Sequence, residues 1–414
     1  MPPCWHRHRS QSIRPSAGLR TSGLENMKNA GEKKLNVAGL FAGVGGLELG
    51  FRDAGFKTEM LCEIDVECRR VLKRRFLNVP IEEDVLSIRQ LPSVDVVTAG
   101  FPCQPFSQAG RTEGLTSSRP LLSSLLNLIR KAPIRPSYIV LENVPNIVHL
   151  AGGEALRYIT RVLEPLGYTW AYRIVDTSSF GLPQRRARWI FVASLVGDAA
   201  SILLEQNATS TKRINARGHG FYWTEGNRGL GWADDAVPPL KSGSTLGIPS
   251  PPAIWDIGKK LIVKPTIGDA ERLQGFEIGW TEGDPEDDDE PMRRRRWKMV
   301  GNAVSVPTAR WIAERISAGL PPTEPFGIRF NKGDTWPKAA WGRLGHRFAV
   351  ECTRFPLEMP HLPILDFLVE RPEPLSERAT RGFRTRLEAS SLRYPAAFLD
   401  ALKHHERKVR SLTA

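Results

Sequence analysis

A cysteine flanked by two prolines is the residue of this sequence best placed for nucleophilic chemistry. Cys103 lies in the run Gly100-Phe101-Pro102-Cys103-Gln104-Pro105-Phe106-Ser107, directly after the β-branched stretch 94–99. Such a stretch predicts a strand, and open α/β sheets bind their ligands at the carboxyl ends of strands. The prolines fix the backbone dihedrals beside the cysteine and stiffen the loop. A buried, purely structural cysteine does not need a loop that is stiffened in this way, so we interpret Cys103 as a functional residue.

Charged side chains follow or precede two further predicted strands. Glu142 follows the apolar run 138–141, so it can face the same crevice as Cys103, although a surface carboxylate is the alternative. Arg186 and Arg188 alternate just before the predicted strand 189–193, and alternation on an extended segment places both on one face. Guanidinium groups suit a phosphate or a base carbonyl, whereas a solvated charge run is the alternative.

A glycine-rich turn marks a candidate cofactor site. The predicted strand 35–41 runs into Ala42-Gly43-Val44-Gly45-Gly46 and then into an apolar-periodic helix that begins near Leu47. Such a strand-to-helix turn allows a ligand to approach the backbone closely. The run is not a full dinucleotide-binding motif, and any tight turn can use glycine.

Acidic residues follow at the spacing expected for a nucleoside cofactor. Glu63 ends the predicted strand 58–63, about twenty residues after the glycines, where a carboxylate meets ribose hydroxyls. Asp65 is the alternative acid. Asp84 ends the short segment 81–83 and is a candidate partner for an adenine amino group, although it also suits a helix or turn cap.

Composition restricts the class of protein. The formal net charge of +13 over 414 residues favours an anionic partner such as nucleic acid. Five cysteines, an odd number spread widely, argue for a reducing compartment. No apolar run approaches the length of a membrane span. Cys4, His6 and His8 are too crowded for zinc spacing, so we expect no metal site.

Taken together, these motifs resemble those of the DNA (cytosine-5) methyltransferases of the bacterial restriction–modification or orphan type. The resemblance covers roughly residues 35–318. The motifs occur in the family's order, and each is quoted as it stands here: Phe41-Ala42-Gly43-Val44-Gly45-Gly46, Gly100 to Ser107, Glu142-Asn143-Val144, Gln184 to Arg188, Glu271-Arg272-Leu273-Gln274-Gly275-Phe276 and Gly301-Asn302-Ala303-Val304. Pro120 and Pro145-Asn146 depart from the residues common in the family, but neither departure removes a reacting group.

The resemblance implies a mechanism. Cys103 would add through its thiolate to carbon 6 of a cytosine that has been flipped out of the duplex. Glu142 would protonate or hydrogen-bond ring nitrogen 3, which requires a raised pKa. Arg188 would hold the base carbonyl, and Arg186 would support the same pocket. The loop from Gln104 to Arg119 would close behind the base.

The resemblance also implies S-adenosylmethionine as cofactor. Phe41 would stack on adenine, Glu63 would bind ribose, Asp84 the amino group and Asn302 the carboxylate. The residues that the resemblance assigns to cofactor binding are Phe41, Gly43, Gly45, Gly46, Glu63, Asp84, Pro102 and Asn302.

We therefore expect an α/β fold: a Rossmann-like S-adenosylmethionine-dependent methyltransferase sheet with a smaller, irregular target-recognition domain and a C-terminal extension. The expected domains are a disordered basic tail (1–33), the catalytic domain (34–195), the target-recognition domain (196–297), a returning helix (298–318) and an extension without evident chemistry (319–414). The expected partner is double-stranded DNA. We further expect a monomer in the bacterial cytoplasm, associated with the nucleoid rather than a membrane, with a cognate restriction endonuclease as a candidate partner.

Three alternatives stay open at this point. The sheet and glycine turn alone are also typical of nicotinamide-dependent oxidoreductases, which have no use for Cys103, Glu142 and Arg188 together. A related enzyme could methylate cytosine in structured RNA, although the sizeable insert 196–263 favours DNA. A non-catalytic DNA-binding descendant is the third, and the intact reactive set argues against it.

Overall fold

The computed structural model describes residues 34–102, 118–209, 216–223, 230–241, 251–283, 290–322 and 324–413. The predicted basic tail (1–33) and the loop 103–117, which contains Cys103, lie outside the described residues. The described residues from Leu35 onward form one compact unit.

Strands and helices alternate through the first half of the chain, as the sequence periodicity predicts. The elements are β1 (Asn36–Leu40), α1 (Gly46–Asp53), β2 (Lys57–Cys62), α2 (Val66–Arg75), β3 (Ile81–Glu82), β4 (Val96–Ala99), α3 (Ser118–Lys131), β5 (Tyr138–Asn143), α4 (Glu154–Leu163), β6 (Thr169–Asp176) and β7 (Ala187–Ser194). The central strands are almost wholly buried apolar runs, because helices cover both faces of the sheet they form.

The sheet is parallel in its first half and antiparallel in its second. Strands β3, β2, β1, β4 and β5 run parallel in that spatial order, and β7 and then β6 follow antiparallel to their neighbours. The chain moves outward from β1 in both directions, so the crevice for a ligand lies at the carboxyl ends of β1 and β4. This arrangement is the Rossmann-like sheet that the sequence predicts.

A second sheet follows, and it is more regular than the sequence indicates. The next elements are α5 (Ala199–Leu203), β8 (Gly218–Trp223), β9 (Leu230–Asp234), β10 (Ala253–Asp256), β11 (Leu261–Lys264), α6 (Ile267–Leu273), α7 (Glu290–Asn302) and α8 (Val306–Ser317). Strands β8 to β11 pair antiparallel. They are short and rich in glycine and tryptophan, so no alternating pattern is visible in the region that we expected to be irregular.

The C-terminal residues complete both sheets, a role that the sequence does not predict. They form β12 (Ile328–Arg329), β13 (Ala340–Arg343), β14 (His346–Ala349), α9 (Ile364–Phe367), β15 (Glu373–Pro374), α10 (Glu377–Glu388) and α11 (Ala396–Thr413). β13 pairs with β6, and β14 and β12 extend the main sheet further. β15 pairs with β11 in the second sheet. The extension is therefore part of the folded core.

Separate apolar clusters hold the layers together. One cluster lies on each face of the main sheet, and α8 packs beside α1 on one of them. The second sheet buries Phe221, Trp255 and Ile262 against α10 and α11, which contribute Phe383 and Phe398. Among the described helices, none is long and apolar enough to cross a membrane.

Candidate active site

A cleft of about 1020 Å³ opens at the carboxyl ends of β1, β4 and β5. Nine of the residues that the sequence predicts to be catalytic or cofactor-binding line this cleft. They are Phe41, Gly43, Glu63, Asp84, Pro102, Glu142, Arg186, Arg188 and Asn302. Residues separated by more than 250 positions in the chain thus line one cavity.

The register of two strands brings Glu142 and Arg188 together. Glu142 of β5 pairs with Ile190 of β7, so Arg188, two residues earlier on β7, extends from the same face. The Arg188 Nε lies 3.0 Å from Oε1 of Glu142 in a largely buried ion pair. This contact places a guanidinium and a carboxyl group side by side at the floor of the cleft.

Burial and charge act on Glu142 in opposite directions. Burial raises the pKa of Glu142, while the nearby guanidinium groups of Arg188 and Arg186 lower it, and the net direction is upward. The carboxyl group therefore holds a proton at higher pH than an ordinary glutamate. This is the property that a proton donor to a base nitrogen requires.

Asn143 positions the start of the cysteine loop. Its side-chain amide donates to the backbone carbonyl of Phe101 at 2.8 Å, and its Oδ1 accepts from the Val144 backbone N–H at 2.8 Å. Pro102 lines the cleft, and Cys103 itself lies outside the described residues. The sequence predicts no separate role for Asn143 within the Glu142-Asn143-Val144 motif, and the structure shows it in a positioning role.

Arg186 is bound by backbone rather than open to a ligand. Its guanidinium donates to the carbonyl oxygens of Leu240 at 3.1 Å, Gly301 at 3.1 Å and Ala303 at 2.8 Å. The side chain is 1% exposed. Arg186 thus ties the sheet to the segments on either side of the cleft, and its expected part in the catalytic pocket stays a prediction.

Gln184 and Gln274 extend the same network. The Gln184 amide donates to the carbonyl of Leu273 at 2.6 Å and accepts from the Leu240 backbone N–H at 3.1 Å. Gln274 donates to the carbonyl of Val300 at 2.8 Å. Three of the quoted motifs therefore meet through buried amide and guanidinium groups, which explains why polar residues occur in these otherwise apolar segments.

Glu63 is fixed beside the glycine turn. Its carboxylate accepts from the backbone N–H groups of Gly43 and Asp65, each at 2.8 Å. Asp65, the alternative acid, caps α2 by accepting from the backbone N–H groups of Glu67 and Cys68. Both residues line the cleft, but Asp65 is already explained as a helix cap.

The three glycines of the turn differ in their surroundings. Gly43 lines the cleft at φ +57°, in the left-handed region that favours glycine, and a Cβ there would meet open space. Gly45 and Gly46 lie outside the residues lining the cleft. A Cβ on Gly45 would collide with the ring of Phe76, and one on Gly46 with the carbonyl oxygen of Val304. The last two are glycines because other parts of the chain pack against them.

Phe41, Asp84 and Asn302 line the cofactor side of the cleft. Phe41 adopts φ +56°, an uncommon conformation for a residue with a side chain. Asp84 accepts from the Leu86 backbone N–H at 2.9 Å, so it is a turn cap as well as a lining residue. Asn302 ends α7 and is exposed. These positions agree with the expected site, while their ligand contacts stay predictions.

Two basic residues at the rim belong to α7, which carries the run Arg293-Arg294-Arg295-Arg296. Arg295 pairs with Glu67 at 2.9 Å, and Lys298 lies 3.8 Å from Asp65, so α7 and α2 meet across the cleft. Arg296, in the same run of arginines, is instead buried against Glu271 at 3.3 Å. The amino-acid composition of a charged run does not predict which of its arginines are buried, because burial depends on which face of the helix packs inward.

Tyr222 is a further residue that the sequence did not single out. Burial raises its pKa, while the charges of Arg185 and Arg188 lower it, which places the phenol in their electrostatic neighbourhood. The Lys241 Nζ lies 4.0 Å from the centre of its ring. Tyr222 thus brings the second sheet close to the Glu142–Arg188 pair.

The sequence of this chain is similar to those of known DNA methyltransferases. The family model described as C-5 cytosine-specific DNA methylase matches residues 35–224. The chain is 42% identical over 381 residues to the Type II methyltransferase M2.BsuMI of Bacillus subtilis, covering 89% of this chain and 97% of that protein. It is 30% identical to the Type II methyltransferase M.DsaV of Dactylococcopsis salina, covering 71% of this chain and 89% of that protein.

A solved structure shares the fold at low sequence identity. The S. pombe Dnmt2 methyltransferase superposes with a TM-score of 0.52 at 16% sequence identity, covering 69% of this chain and 98% of that chain. The near-complete match to M2.BsuMI, together with the motifs gathered in one cleft, shows that this chain belongs to the C-5 cytosine-specific DNA methylase family.

Proposed function

We propose that this DNA (cytosine-5) methyltransferase acts on a cytosine flipped out of a specific duplex sequence, through a temporary covalent bond to Cys103. The observation that supports this most directly is the buried Glu142–Arg188 pair in the cleft that Gly43 also lines. The loop bearing Cys103 starts at this cleft, since Pro102 lines it.

The residues present suit S-adenosylmethionine. A cleft of about 1020 Å³ is large enough for a nucleoside cofactor and a base. Glu63 and Asp84 are carboxylates suited to hydroxyl and amino groups, and the open backbone at Gly43 allows close approach. Phe41 offers an aromatic surface and Asn302 an amide. The cofactor supplies an electrophilic methyl group when bound.

The side chains would then act on the cytosine ring in sequence. The Cys103 thiolate would form a bond to carbon 6, and Glu142 would deliver a proton to ring nitrogen 3, so that carbon 5 becomes nucleophilic toward the methyl group that the cofactor would supply. Arg188 holds the base carbonyl and, as a cation, favours the thiolate. A base then removes the proton from carbon 5, the carbon–sulfur bond breaks to release Cys103 as its thiolate, and ring nitrogen 3 returns its proton to the Glu142 carboxylate.

The other cysteines with described surroundings are poor nucleophiles. Burial raises the pKa of the Cys62 thiol to about 12, and it also raises the pKa of Cys68 and of Cys352. These groups stay protonated near neutral pH and carry little thiolate. Among the cysteines that the structure describes, none competes with the role proposed for Cys103.

The biological role proposed here follows from the relatives. M2.BsuMI and M.DsaV are named as type II methyltransferases, so we infer host-DNA protection beside a cognate endonuclease, or epigenetic marking. We further propose that the enzyme acts on the bacterial chromosome in the nucleoid, and that it does so as a monomer. The strands around Tyr222 would supply contacts to the recognised bases.

A covalent trap tests the mechanism. Bisulfite sequencing of DNA from cells that express the protein first identifies the methylated sequence. A duplex of that sequence with 5-fluorocytosine at the target position, incubated with S-adenosylmethionine, should then form an adduct that survives denaturing electrophoresis, because fluorine blocks the final elimination. Peptide mapping should place the adduct on Cys103.

Two variants serve as controls for the trap. Cys103→Ser should form no adduct but still bind the cofactor, while Cys352→Ser, in the C-terminal extension, should form it normally. An adduct in Cys103→Ser, or its absence in the unmodified enzyme on a duplex that the enzyme methylates, would overturn the covalent mechanism.

A further inference from the structure

A second cavity lies between α4 and the strands of the C-terminal extension. Its volume is about 510 Å³, and its walls include Arg329 in β12, Arg347 in β14 and side chains along α4. β14 is four strands away from β5 in the main sheet, roughly 19 Å at about 4.8 Å per strand. The cavity is thus separate from the cleft of the Glu142–Arg188 pair.

The cavity also lies near the opposite ends of the strands from the first cleft. β6 runs parallel to β5 and starts at Thr169, and the end of β13 at Gly342 pairs with Trp170 near that start. The turn after β13 contains Gly345, which lines the cavity. This turn therefore lies at the amino end of β5 and β6, away from the carboxyl end of β5. A DNA duplex bound at the first cleft would lie at the carboxyl ends of the strands, whereas the second cavity lies near their amino ends.

Positive charge predominates in the walls of this cavity. Its charged side chains comprise more cations than carboxylates, namely Arg157, Arg161, Arg329, Lys332 and Arg347 against Glu154 and Glu164. Arg157 has a structural function, because it donates to the carbonyl of Gly152 at 2.6 Å. The remaining cations come from two segments more than 160 residues apart in sequence, so the fold brings them together.

Arg347 is buried at this cavity with weak partners. It is 9% exposed, and its guanidinium carbon lies 5.1 Å from the centre of the Trp336 ring. Among the described residues, its donors reach only Thr160 Oγ1 at 3.4 Å and Glu164 Oε1 at 3.9 Å. That carboxylate oxygen already accepts from the Trp170 indole N–H at 2.8 Å. A guanidinium has five N–H donors, and a buried arginine normally engages most of them. Arg347 therefore retains donors that a ligand in the cavity could satisfy.

The exposed cations of the cavity lack anionic partners. Among the described residues, no carboxylate lies within ion-pairing distance of Arg161, Arg329 or Lys332. Arg161 is instead placed over the ring of Tyr158, 5.5 Å from its centre. Three like charges that converge on one cavity repel one another, and an anion between them would relieve that repulsion.

We propose that this cavity is a binding site for a phosphate-bearing small molecule, with the phosphate seated on Arg347. A phosphate group presents several acceptor oxygens that match a guanidinium fork, and neighbouring cations share its charge. Tyr158 and Phe330 line the same cavity and offer flat apolar surfaces to a base or another ring. The site is independent of the methyl-transfer cleft and of the mechanism proposed for it.

Isothermal titration calorimetry on the full chain in 0.15 M KCl tests the proposal, with inorganic phosphate, pyrophosphate and adenosine monophosphate as probes. We expect at least one probe to bind with a Kd below about 1 mM. Arg161→Ala combined with Lys332→Ala should weaken binding at least tenfold, and Arg347→Gln should abolish it. Equal affinities for phosphate and the nucleotide would assign binding to the phosphate alone, whereas tighter nucleotide binding would assign a contribution to the aromatic walls.

Arg343→Ala is the matched control. Arg343 is exposed at the end of β13 and lies outside the cavity, so its loss removes one positive charge, as Arg347→Gln does, but should leave Kd unchanged. The proposal fails if the probes bind only above about 10 mM, or if Arg343→Ala weakens binding as much as the double variant. It also fails if the double variant, whose exposed side chains are not needed for folding, lowers only the affinity for a 30-base-pair duplex.

Discussion

Glu142 combines two environments that a catalytic acid needs, since it is buried and yet has a cation beside it. Burial raises the pKa of the carboxyl group, and the Arg188 contact at 3.0 Å limits that rise. An uncompensated buried carboxyl would stay neutral, whereas an exposed one would lose its proton well below neutral pH. The pair therefore holds the pKa of Glu142 above its ordinary value, while the neighbouring guanidinium still favours the carboxylate that remains after proton transfer.

Replacing Glu142 with glutamine tests this role. We expect Glu142→Gln to lower kcat by roughly 10²- to 10⁴-fold, since an amide cannot transfer a proton to the base. Because burial raises the pKa of Glu142, the rate of the unmodified enzyme should fall as pH rises through that pKa, and the variant should lose this dependence. The measurement is single-turnover methyl transfer between pH 6 and 9. If the variant has an unchanged rate and pH profile, Glu142 takes no part in the mechanism. The control is Glu205→Gln, since Glu205 pairs with Arg315 and does not line the cleft.

Gly46 illustrates a residue whose type is set by packing. A Cβ at this position would collide with the backbone carbonyl of Val304, which cannot rotate away as a side chain could. We expect Gly46→Ala to destabilise the protein by about 1–3 kcal/mol, measured by urea unfolding. Gly333→Ala, where a Cβ meets open space, should change stability little. Equal stability of the two variants would show that the turn and the returning segment are not in tight contact.

At the scale of elements, α11 is attached to the second sheet by a buried histidine. His405 Nδ1 accepts from the Ile262 backbone N–H at 3.2 Å, and Nε2 faces the Leu375 carbonyl at 2.8 Å. Both contacts are satisfied only by the neutral ring with its proton on Nε2. One side chain thus connects the last helix to β11 and to the residue that follows β15.

This attachment predicts a pH-dependent stability. Burial lowers the pKa of His405 from 6.5, so the unfolded chain binds the extra proton first. The stabilisation is therefore complete above the unfolded pKa and is lost as pH falls through the lowered folded pKa. We expect the free energy of unfolding in urea to decrease between pH 7.5 and 5 more steeply in the unmodified protein than in His405→Ala.

At pH 7.5, the loss of both contacts should make His405→Ala about 1–3 kcal/mol less stable than the unmodified protein. His404→Ala, at the exposed neighbouring position, controls for the charge and helix propensity of the substitution. Parallel pH profiles for the unmodified protein and His405→Ala would contradict the assigned protonation.

At the scale of the whole molecule, the C-terminal extension acts as a structural cover. Phe398 of α11 is fully buried, and its ring centre lies 4.7 Å from Phe221, 5.0 Å from Trp232 and 5.7 Å from Trp255. These aromatic residues belong to three different strands of the second sheet. Without α11, that face of the sheet would be exposed to water.

We therefore expect Phe398→Ala to lower the free energy of unfolding by about 3–5 kcal/mol, as found for large buried aromatic residues. Phe398→Leu retains most of the apolar volume and should lose less. Urea unfolding followed by tryptophan fluorescence measures both. If Phe398→Ala unfolds at the same urea concentration as the unmodified protein, the extension is not needed to cover the second sheet.

The sequence by itself determined the enzyme family and the first half of the fold. Apolar runs and helical periodicity encode burial within one element, so the strands that carry Glu63 and Glu142 and the helix after the glycine turn could be predicted from local pattern. Family membership, once shown, also excludes the nicotinamide-dependent alternative. The roles of Cys103 and of the cofactor contacts remain predictions for the experiments above.

Only the tertiary structure decided what distant residues do to one another. β13 pairs with β6 across more than 160 positions, and no local pattern records such a partner. The same is true of Arg186, which binds three backbone carbonyls, of Gly46, which packs on Val304, and of Arg347, which is buried with few partners. Side-chain type states what a residue is able to bind, but burial and neighbours, which the folded chain alone supplies, select which of those contacts is made.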